Sequence, residues 1–304
     1  MIRTSALTKR FGPILAVDGV DLDVREGDIY GFLGANGSGK TTTVRMLLGL
    51  VLPTSGEVSL LGRPMPSSAH EVLPQVGALV EGPAAYPQLS GRRNLAVFDA
   101  AGAGQGSGRR SRRRRIEEAL DRVGLGGIDG RPVRAYSLGM RQRLGLAAAI
   151  MRSPRLLVLD EPTNGLDPQG IGEIRTLLRE LHATGTTVLL LSHQLAEVEQ
   201  LCSRVGVLDR GRLVLQQELD EICGPTGRIH VRTPDADGAR ALLDGQVEAA
   251  TSTGLLVRHP DAGELNAMLV GRGIRVEELT LERRTLEDAV LAATGTGSDR
   301  VARP

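Results

Sequence analysis

A glycine-rich stretch containing one of the chain's two lysines lies between an apolar run and a helix-forming segment. Gly34-Ala35-Asn36-Gly37-Ser38-Gly39-Lys40-Thr41 matches G-x-x-x-x-G-K-[ST] at every fixed position, and its flanks predict a strand over 28–33 and a helix running to about Gly49. In this setting glycines let backbone N–H groups turn inward around phosphate oxygens. The residues predicted to bind the nucleotide are Gly34, Asn36, Gly37, Ser38, Gly39, Lys40, Thr41 and Thr42.

Lysine is scarce in this chain, because Lys9 and Lys40 are the only lysines among 37 basic residues. The compact ammonium of lysine is not reproduced by the planar fork of arginine. We expect Lys40 to reach the β and γ phosphates and the Thr41 hydroxyl to bind Mg²⁺. A glycine-rich turn without a ligand is the alternative, and the scarcity of lysine weighs against it.

Acidic and histidine side chains follow two further apolar runs. "RLLVLDEP" ends in Asp160 and Glu161, and "TTVLLLSH" ends in Ser192 and His193. Continuous apolar runs are typical of parallel strands buried on both faces, and the carboxyl ends of such strands share one crevice. Asp160 is expected to hold Mg²⁺, Glu161 to activate water and His193 to sense the γ-phosphate. The alternatives are a polar turn after a strand and a histidine satisfied in the core.

The segment "YSLGMRQRL", residues 136–144, predicts a helix that begins at a serine N-cap. Arg141 and Arg143 crowd the first turns, where the helix dipole disfavours positive charge. A hydroxyl, free amides and cations together indicate an anion site, separate from the glycine-rich loop. The alternative is an ordinary capped helix that stops at Ser153-Pro154.

With these motifs, residues 1 to about 220 resemble the ATP-binding cassette (ABC) transporter ATPases. The family signature, usually Leu-Ser-Gly-Gly-Gln, falls on residues 136–140, where Ser137 and Gly139 are kept and three positions differ. The resemblance implies a P-loop α/β fold with a parallel-sheet core, an antiparallel β subdomain and a helical subdomain over about 84–154. It also implies a head-to-tail dimer in which Ser137 and Gly139 close over the ATP of the partner subunit.

Three further site residues follow from the resemblance alone. Asp167, in the D-loop stretch 164–167, would cross the dimer interface; it also fits a plain N-cap followed by Pro168. Phe11 would stack on adenine, or belong to the core. Glu81 stands where the family usually has glutamine and would ligate Mg²⁺ through a carboxylate, or be a simple turn acid.

Composition limits the other possibilities. The 304 residues carry a net charge of +1, and no apolar run approaches the roughly 20 residues of a membrane span. The chain start lacks the apolar core of a signal peptide, and the two cysteines fit neither a disulfide framework nor a metal pattern, which favours a cytosolic location. "GAGQGSGRRSRRRR", residues 102–115, is interpreted as a flexible basic break, either solvated or touching anionic lipid or nucleic acid.

Residues 221–295 alternate short strand and helix patterns and predict a small α+β domain, with a disordered tail over 296–304. The last helix of this domain, "LEDAVLAATG", resembles the C-terminal extension of daunorubicin-type export ATPases. The resemblance suggests a regulatory or dimer-stabilising role for the domain.

The whole pattern implies an ATPase subunit that uses ATP and Mg²⁺, pairs with a second ATP-binding subunit and powers an integral-membrane permease from the cytoplasmic face of the plasma membrane. The Glu81 stretch and the C-terminal domain favour export of a drug-like or lipophilic compound. A clamp acting on DNA or ribosomes and an importer ATPase are the alternatives. The single P-loop and the lack of a heptad run disfavour the clamp, so no nucleic-acid partner is expected.

Overall fold

The computed structural model describes residues 1–82, 84–102, 109–128, 130–251 and 254–294. The chain folds into two compact units, one holding Met1–Glu218 and the other Leu219–Ala292.

The larger unit combines two sheets with helices. Its strands are β1 (Ile2–Phe11), β2 (Ile14–Val20), β3 (Asp23–Val24), β4 (Ile29–Leu33), β5 (Ser55–Leu60), β6 (Arg63–Met65), β7 (Val76–Leu79), β8 (Leu156–Asp160), β9 (Thr187–Leu191), β10 (Arg204–Asp209) and β11 (Arg212–Glu218). Its helices are α1 (Lys40–Leu47), α2 (Ala69–Val72), α3 (Gly91–Ala101), α4 (Arg109–Arg122), α5 (Leu138–Ile150), α6 (Pro168–Ala183) and α7 (Leu195–Leu201), with short 3₁₀ turns at Leu73–Gln75 and Val133–Ala135.

A six-stranded sheet forms the centre of this unit, in the order β11-β10-β4-β9-β8-β7. All neighbours are parallel except β10 and β11. Every residue of β4 and β9 is buried, as their continuous apolar sequences predict. The strand predicted over 28–33 is therefore confirmed as β4, and the helix after it ends two residues before Gly49.

A second, antiparallel sheet has the order β2-β1-β5-β6, with β3 paired to β1. Its inward side chains join those of the central sheet in one apolar core that includes Ile2, Leu60, Phe32 and Leu47. The predicted P-loop α/β class, with its antiparallel β subdomain and helical region, is confirmed.

The arginine run adopts a helix, so the prediction of a flexible break is wrong for residues 109–115, which begin α4. Residues 103–108 of that prediction lie outside the described residues. Arginine is a good helix former, and two of these arginines pair with glutamates one turn later, Arg114 with Glu118 at 2.6 Å and Arg113 with Glu117 at 3.8 Å. The Arg113 and Arg114 side chains remain 79% and 80% exposed within these pairs, so the solvated alternative holds for this part of the run.

Asp99 on α3 anchors α4 to its neighbours. Its side chain is 1% exposed and accepts hydrogen bonds from Arg112 Nε at 2.8 Å and Arg115 Nη2 at 2.9 Å, and Arg152 Nη2 lies 3.4 Å from it. Burial by itself raises the pKa of this carboxyl, but the bonds from Arg115 and Arg112 outweigh burial and leave the pKa below its ordinary value.

The smaller unit contains α8 (Leu219–Ile222), β12 (Pro225–Arg232), α9 (Ala236–Leu242), β13 (Val247–Thr251), β14 (Gly254–Arg258), α10 (Ala262–Gly271), β15 (Glu278–Arg283) and α11 (Leu286–Thr294). Its antiparallel sheet has the order β13-β14-β12-β15. Ile229, Val231, Leu255 and Val257 pack with Ala239, Leu265 and Leu269 of α9 and α10 to form a separate core. The predicted α+β pattern is confirmed, and the predicted disordered tail, 296–304, lies outside the described residues.

Replacing Asp99 with alanine removes the carboxylate shared by three arginines. The free energy of unfolding should fall by about 2 to 3 kcal/mol at pH 7. The loss is smaller than for a fully buried network because the arginines are partly solvated. The folded-state pKa of Asp99 is depressed, so its contribution is complete above the unfolded-state pKa and disappears as the pH falls through the folded value. Urea unfolding of the wild type and of Asp99→Ala should show that the difference between their free energies of unfolding decreases below about pH 4.

Asp18→Ala is the matched control, because Asp18 pairs with the exposed Arg212 at 2.7 Å. It should cost less than about 1 kcal/mol. Equal losses in the two variants would refute a special role for Asp99.

Candidate functional site

The glycine-rich loop between β4 and α1 has a conformation that only small residues tolerate. Gly34, Gly37 and Gly39 have φ angles of +151°, +80° and +108°. A Cβ on Gly34 would lie 2.3 Å from the Leu208 carbonyl oxygen, and one on Gly39 would lie 2.5 Å from the Ala16 carbonyl oxygen. Two of the glycines are thus required for space as well as for backbone conformation.

The loop borders a cavity of about 310 Å³. Its lining consists of Ala16, Asn36, Gly37, Gly39, Lys40, Thr41, Thr42, Asp160 and Glu161. The structure therefore brings together the loop and the two acids that follow β8, as the shared-edge argument predicts.

Lys40 points back into the loop, where its Nζ donates to the carbonyl oxygens of Gly34 at 2.5 Å and Ala35 at 3.0 Å. Burial lowers the pKa of this ammonium, while the charges of Glu161 and Asp160 oppose that shift. A cation is thus held at the centre of the loop, next to the backbone N–H groups.

The acidic side of the cavity pairs a carboxylate with a hydroxyl. Asp160 Oδ2 lies 3.5 Å from Thr41 Oγ1. Burial raises the pKa of Asp160, the charge of Glu161 raises it further, and Lys40 and the backbone N–H of Glu81 counteract the rise. A nearby cation would stabilise the ionised form of a carboxyl whose pKa is raised.

These donors fit Mg²⁺. A carboxylate and a hydroxyl are the hard oxygen ligands this ion prefers, and it commonly takes its remaining ligands from phosphate and water. Ser38 Oγ and Glu161 Oε2 are buried and have no hydrogen-bond partner among the described residues. The described residues contain no cluster of three or more acidic, histidine or cysteine side chains able to hold a metal by themselves.

Glu161 is held from several sides. Its Oε1 lies 2.7 Å from Nδ1 of His193, which follows β9. Its φ of +49° is unusual for a residue with a side chain, and its backbone N–H donates to the Leu191 carbonyl oxygen at 3.0 Å. Buried Gln142 on α5 donates from Nε2 to the Glu161 carbonyl oxygen at 2.9 Å. Sequence reasoning missed Gln142, for which the available signal was a polar residue among apolar positions of a core helix.

Glu81 lies beside this site, but its carboxylate points elsewhere. Its backbone lies close enough to Asp160 to lower the pKa of that carboxyl, and its side chain forms an ion pair with Arg45 on α1. Its φ is +61°, so Glu81 and Glu161 share an uncommon left-handed conformation.

Phe11, at the end of β1, is 45% exposed, and its ring centroid lies 4.9 Å from Lys9 Nζ. The alternative of a core phenylalanine is therefore wrong, and the ring remains accessible for stacking.

Ser137 and Gly139 do not line this cavity. Ser137 Oγ accepts from the backbone N–H of Met140 at 3.1 Å, so the predicted N-cap of α5 is confirmed. The arginines used to predict an anion site bind protein groups instead. Arg141 donates to the Tyr136 carbonyl oxygen at 2.6 Å, whereas Arg143 donates to the Val123 carbonyl oxygen at 3.0 Å and pairs with Glu173 at 2.8 Å. Both arginines therefore have partners within the chain, and their presence near the start of α5 does not by itself indicate an anion site.

The signature and D-loop segments touch within the same chain. Leu138, 51% exposed, packs on Gly165 so closely that a Cβ there would lie 2.3 Å from Leu138 Cδ2. A Cβ on Gly139 would lie 3.0 Å from Leu166. Asp167 Oδ1 accepts from the Gly170 backbone N–H at 2.9 Å, so its predicted N-cap role on α6 is confirmed.

A larger cavity of about 610 Å³ lies beside β7, the edge strand of the central sheet. Its walls are mostly apolar and include Leu79, Val80, Phe98, Ala149 and Met151.

Comparison with known proteins identifies the family. Residues 17–164 match the ABC transporter family model. The chain is 37% identical to the bacitracin transport ATP-binding protein BcrA of Bacillus licheniformis, and the match spans 98% of each chain. The chain belongs to the ABC transporter ATP-binding proteins.

Other relatives extend this assignment. The daunorubicin resistance ATP-binding protein DrrA3 of Streptomyces coeruleorubidus is 38% identical over 97% of this chain and 96% of its own length. A solved structure of an ATP-binding subunit of an ABC transporter superposes with a TM-score of 0.67 at 27% identity, covering 73% of this chain and 91% of that one. This ABC protein binds ATP and is an ATPase. None of its described helices combines the length and apolar character needed to cross a membrane.

Gly39→Ala should weaken ATP binding at least about tenfold, because the added Cβ meets the Ala16 carbonyl oxygen and the φ of +108° is strained for alanine. Titration with a fluorescent ATP analogue measures the loss.

Gly185→Ala is the control, since Gly185 has a φ of +97° with open space around it. It carries the same type of backbone strain without the clash and should bind ATP normally. A Gly39→Ala protein of wild-type affinity would show that the tight loop does not set the nucleotide position.

Proposed function

We propose that this ABC ATPase powers a separate integral-membrane permease from the cytoplasmic face of the plasma membrane, and that the complex exports a drug-like or lipophilic compound. The observation that carries the proposal is the extent of the matches. The bacitracin transport and daunorubicin resistance proteins align over at least 97% of this chain, including its C-terminal unit. A shared cassette alone would leave an importer or a clamp equally supported.

In the proposed reaction the loop binds the ATP phosphates through its backbone N–H groups, Ser38, Thr42 and the ammonium of Lys40. Thr41 and Asp160, with Glu81, would hold Mg²⁺, which would neutralise phosphate charge. Exposed Phe11 stacks on the adenine.

Glu161 accepts the proton of the attacking water. Because His193 occupies Oε1, the unpartnered Oε2 is the oxygen available as the base. The water oxygen bonds to the γ-phosphorus, the bond from that phosphorus to the ADP oxygen breaks, and ADP and phosphate leave. His193 keeps the base oriented and contacts the γ-phosphate.

A second ATP-binding subunit completes each site. Ser137, Gly139 and Asp167 lie outside the cavity of their own chain, and α5 begins at the exposed Ser137 and Leu138, so the N-terminus of this helix can meet an anion. A solved ABC cassette described as dimeric superposes with a TM-score of 0.67 at 25% identity, covering 72% of this chain and 99% of that one. We assign Ser137 and Gly139 to the nucleotide of the partner subunit.

The permease would contact the helical region. The 610 Å³ cavity beside β7 offers an apolar surface of the size that a protein segment from the permease would cover.

Glu161→Gln should reduce ATP turnover to background while leaving ATP binding intact, because glutamine keeps the shape of the side chain and cannot accept the proton. Size-exclusion chromatography with ATP should show a trapped dimer. Turnover near the wild-type rate would rule out Glu161 as the base.

The same variant tests transport. Cells that express the wild-type ATPase with the membrane protein encoded beside it should export a labelled lipophilic drug, and cells with Glu161→Gln should not. Normal ATPase activity without any co-purifying membrane protein, or tight binding of duplex DNA at physiological salt, would contradict the transport proposal.

Ser137→Ala should lower kcat about tenfold or more, since it removes a hydroxyl bond to phosphate, and leave ATP binding to the monomer unchanged. Ser90→Ala is matched to it. Ser90 caps α3 through a bond from the Arg93 N–H at 3.4 Å, so each variant loses one helix cap worth about 1 kcal/mol. Equal effects of Ser137→Ala and Ser90→Ala on kcat would indicate that Ser137 acts only as a helix cap. Weaker ATP binding to the Ser137→Ala monomer would indicate that Ser137 contacts the nucleotide of its own chain.

A further inference from the structure

Glu81 forms an ion pair that the expected magnesium role does not use. Its carboxylate contacts Arg45 Nη2, and the two side chains are 48% and 39% exposed. The pair joins the segment after β7 to the helix that follows the phosphate loop.

Arg45 lies on the same side of α1 as the candidate metal ligand Thr41. The two residues are four positions apart, which places them one turn apart on one helix face. Thr41 Oγ1 lies 3.5 Å from Asp160 Oδ2, and the backbone of Glu81 lies next to that same carboxylate. Glu81 therefore has its backbone beside the Asp160 carboxylate and its side chain on Arg45.

The charges around the site explain why a third carboxylate would turn away. Asp160 and Glu161 already line the cavity, and two carboxylates that share one site repel each other. A Glu81 carboxylate directed to the same place would increase that repulsion. Arg45 supplies a cation at a distance from the two acids and gives Glu81 an alternative position.

We propose that Arg45 is a positioning residue that holds the Glu81 carboxylate off the metal position, so that Arg45 and the divalent cation compete for this carboxylate. The inference rests on the proposed metal role of Glu81. Binding of the metal–nucleotide complex then requires the Arg45 pair to break, and the ion pair sets how readily Glu81 joins the site.

The competition depends on residue 81 being charged. A glutamine would offer the metal an amide oxygen but carries no charge, so it could form a hydrogen bond with Arg45 but no ion pair. The ion pair is thus a consequence of glutamate at this position.

A double-mutant cycle at positions 45 and 81 tests the competition. Binding of Mn²⁺ to the full chain is measured by electron paramagnetic resonance with saturating non-hydrolysable ATP analogue, which requires no turnover. Arg45→Gln should tighten Mn²⁺ binding roughly two- to fivefold, the range expected for loss of a partly exposed ion pair. In the Glu81→Gln background, the same change at position 45 should have no effect.

Three further variants control the experiment. Arg114→Gln removes the exposed pair with Glu118 on α4 and should bind Mn²⁺ like the wild type. Arg45→Lys keeps the positive charge and should stay near the wild-type affinity. Arg45→Met also removes the charge but keeps an unbranched side chain with a similar helix propensity. It therefore tests the loss of charge independently of any effect of glutamine on α1.

The possible results are distinct. An unchanged or weaker Mn²⁺ affinity in Arg45→Gln and Arg45→Met, or an equal shift in both backgrounds at position 81, overturns the competition. If Glu81→Ala binds Mn²⁺ as the wild type does, the metal role of Glu81 fails, and the inference fails with it. If the wild-type chain with the nucleotide analogue bound shows no bound Mn²⁺, the metal site itself is wrong.

Discussion

The geometry of the site depends on the burial of neighbouring parallel strands. Both faces of β4, β8 and β9 are buried, so polar functional side chains can lie only at the ends of these strands. Because the strands run in one direction, those ends coincide at one edge of the sheet, and the loop after β4 meets Asp160, Glu161 and His193 there. The tight contacts of Gly34 with Leu208 and of Gly39 with Ala16 then fix the loop against the adjoining backbone. Local sequence provides each functional group, and the register of the sheet brings these groups together.

Much of this arrangement could be predicted from the sequence, because the motifs are local and parallel strands obey a simple rule. The phosphate loop, the acids after β8, and the caps formed by Ser137 and Asp167 each depend on residues within a few positions of one another. The prediction failed where long-range partners decide the outcome. Arg143 looked like a ligand for an anion, but it donates to the carbonyl oxygen of Val123, 20 residues away, and pairs with Glu173.

The arginine run shows the same limitation in a different form. Composition suggested a solvated break, whereas α4 is held by glutamates one turn away and by Asp99, which is at least ten residues distant in sequence. Gln142 and the Arg45–Glu81 pair were missed for a related reason. A side chain that positions a catalytic group has no motif of its own, and only the folded chain shows which backbone or carboxylate it contacts.

The contacts of Lys40 have a consequence for ligand choice. Its ammonium already bonds to two carbonyl oxygens of its own loop, so any ligand that draws it outward must offer more than two neutral acceptors. A triphosphate does so through several charged oxygens, whereas a nucleoside or a single sugar hydroxyl does not. The two hydrogen bonds of Lys40 thus favour highly charged ligands over uncharged and weakly charged molecules.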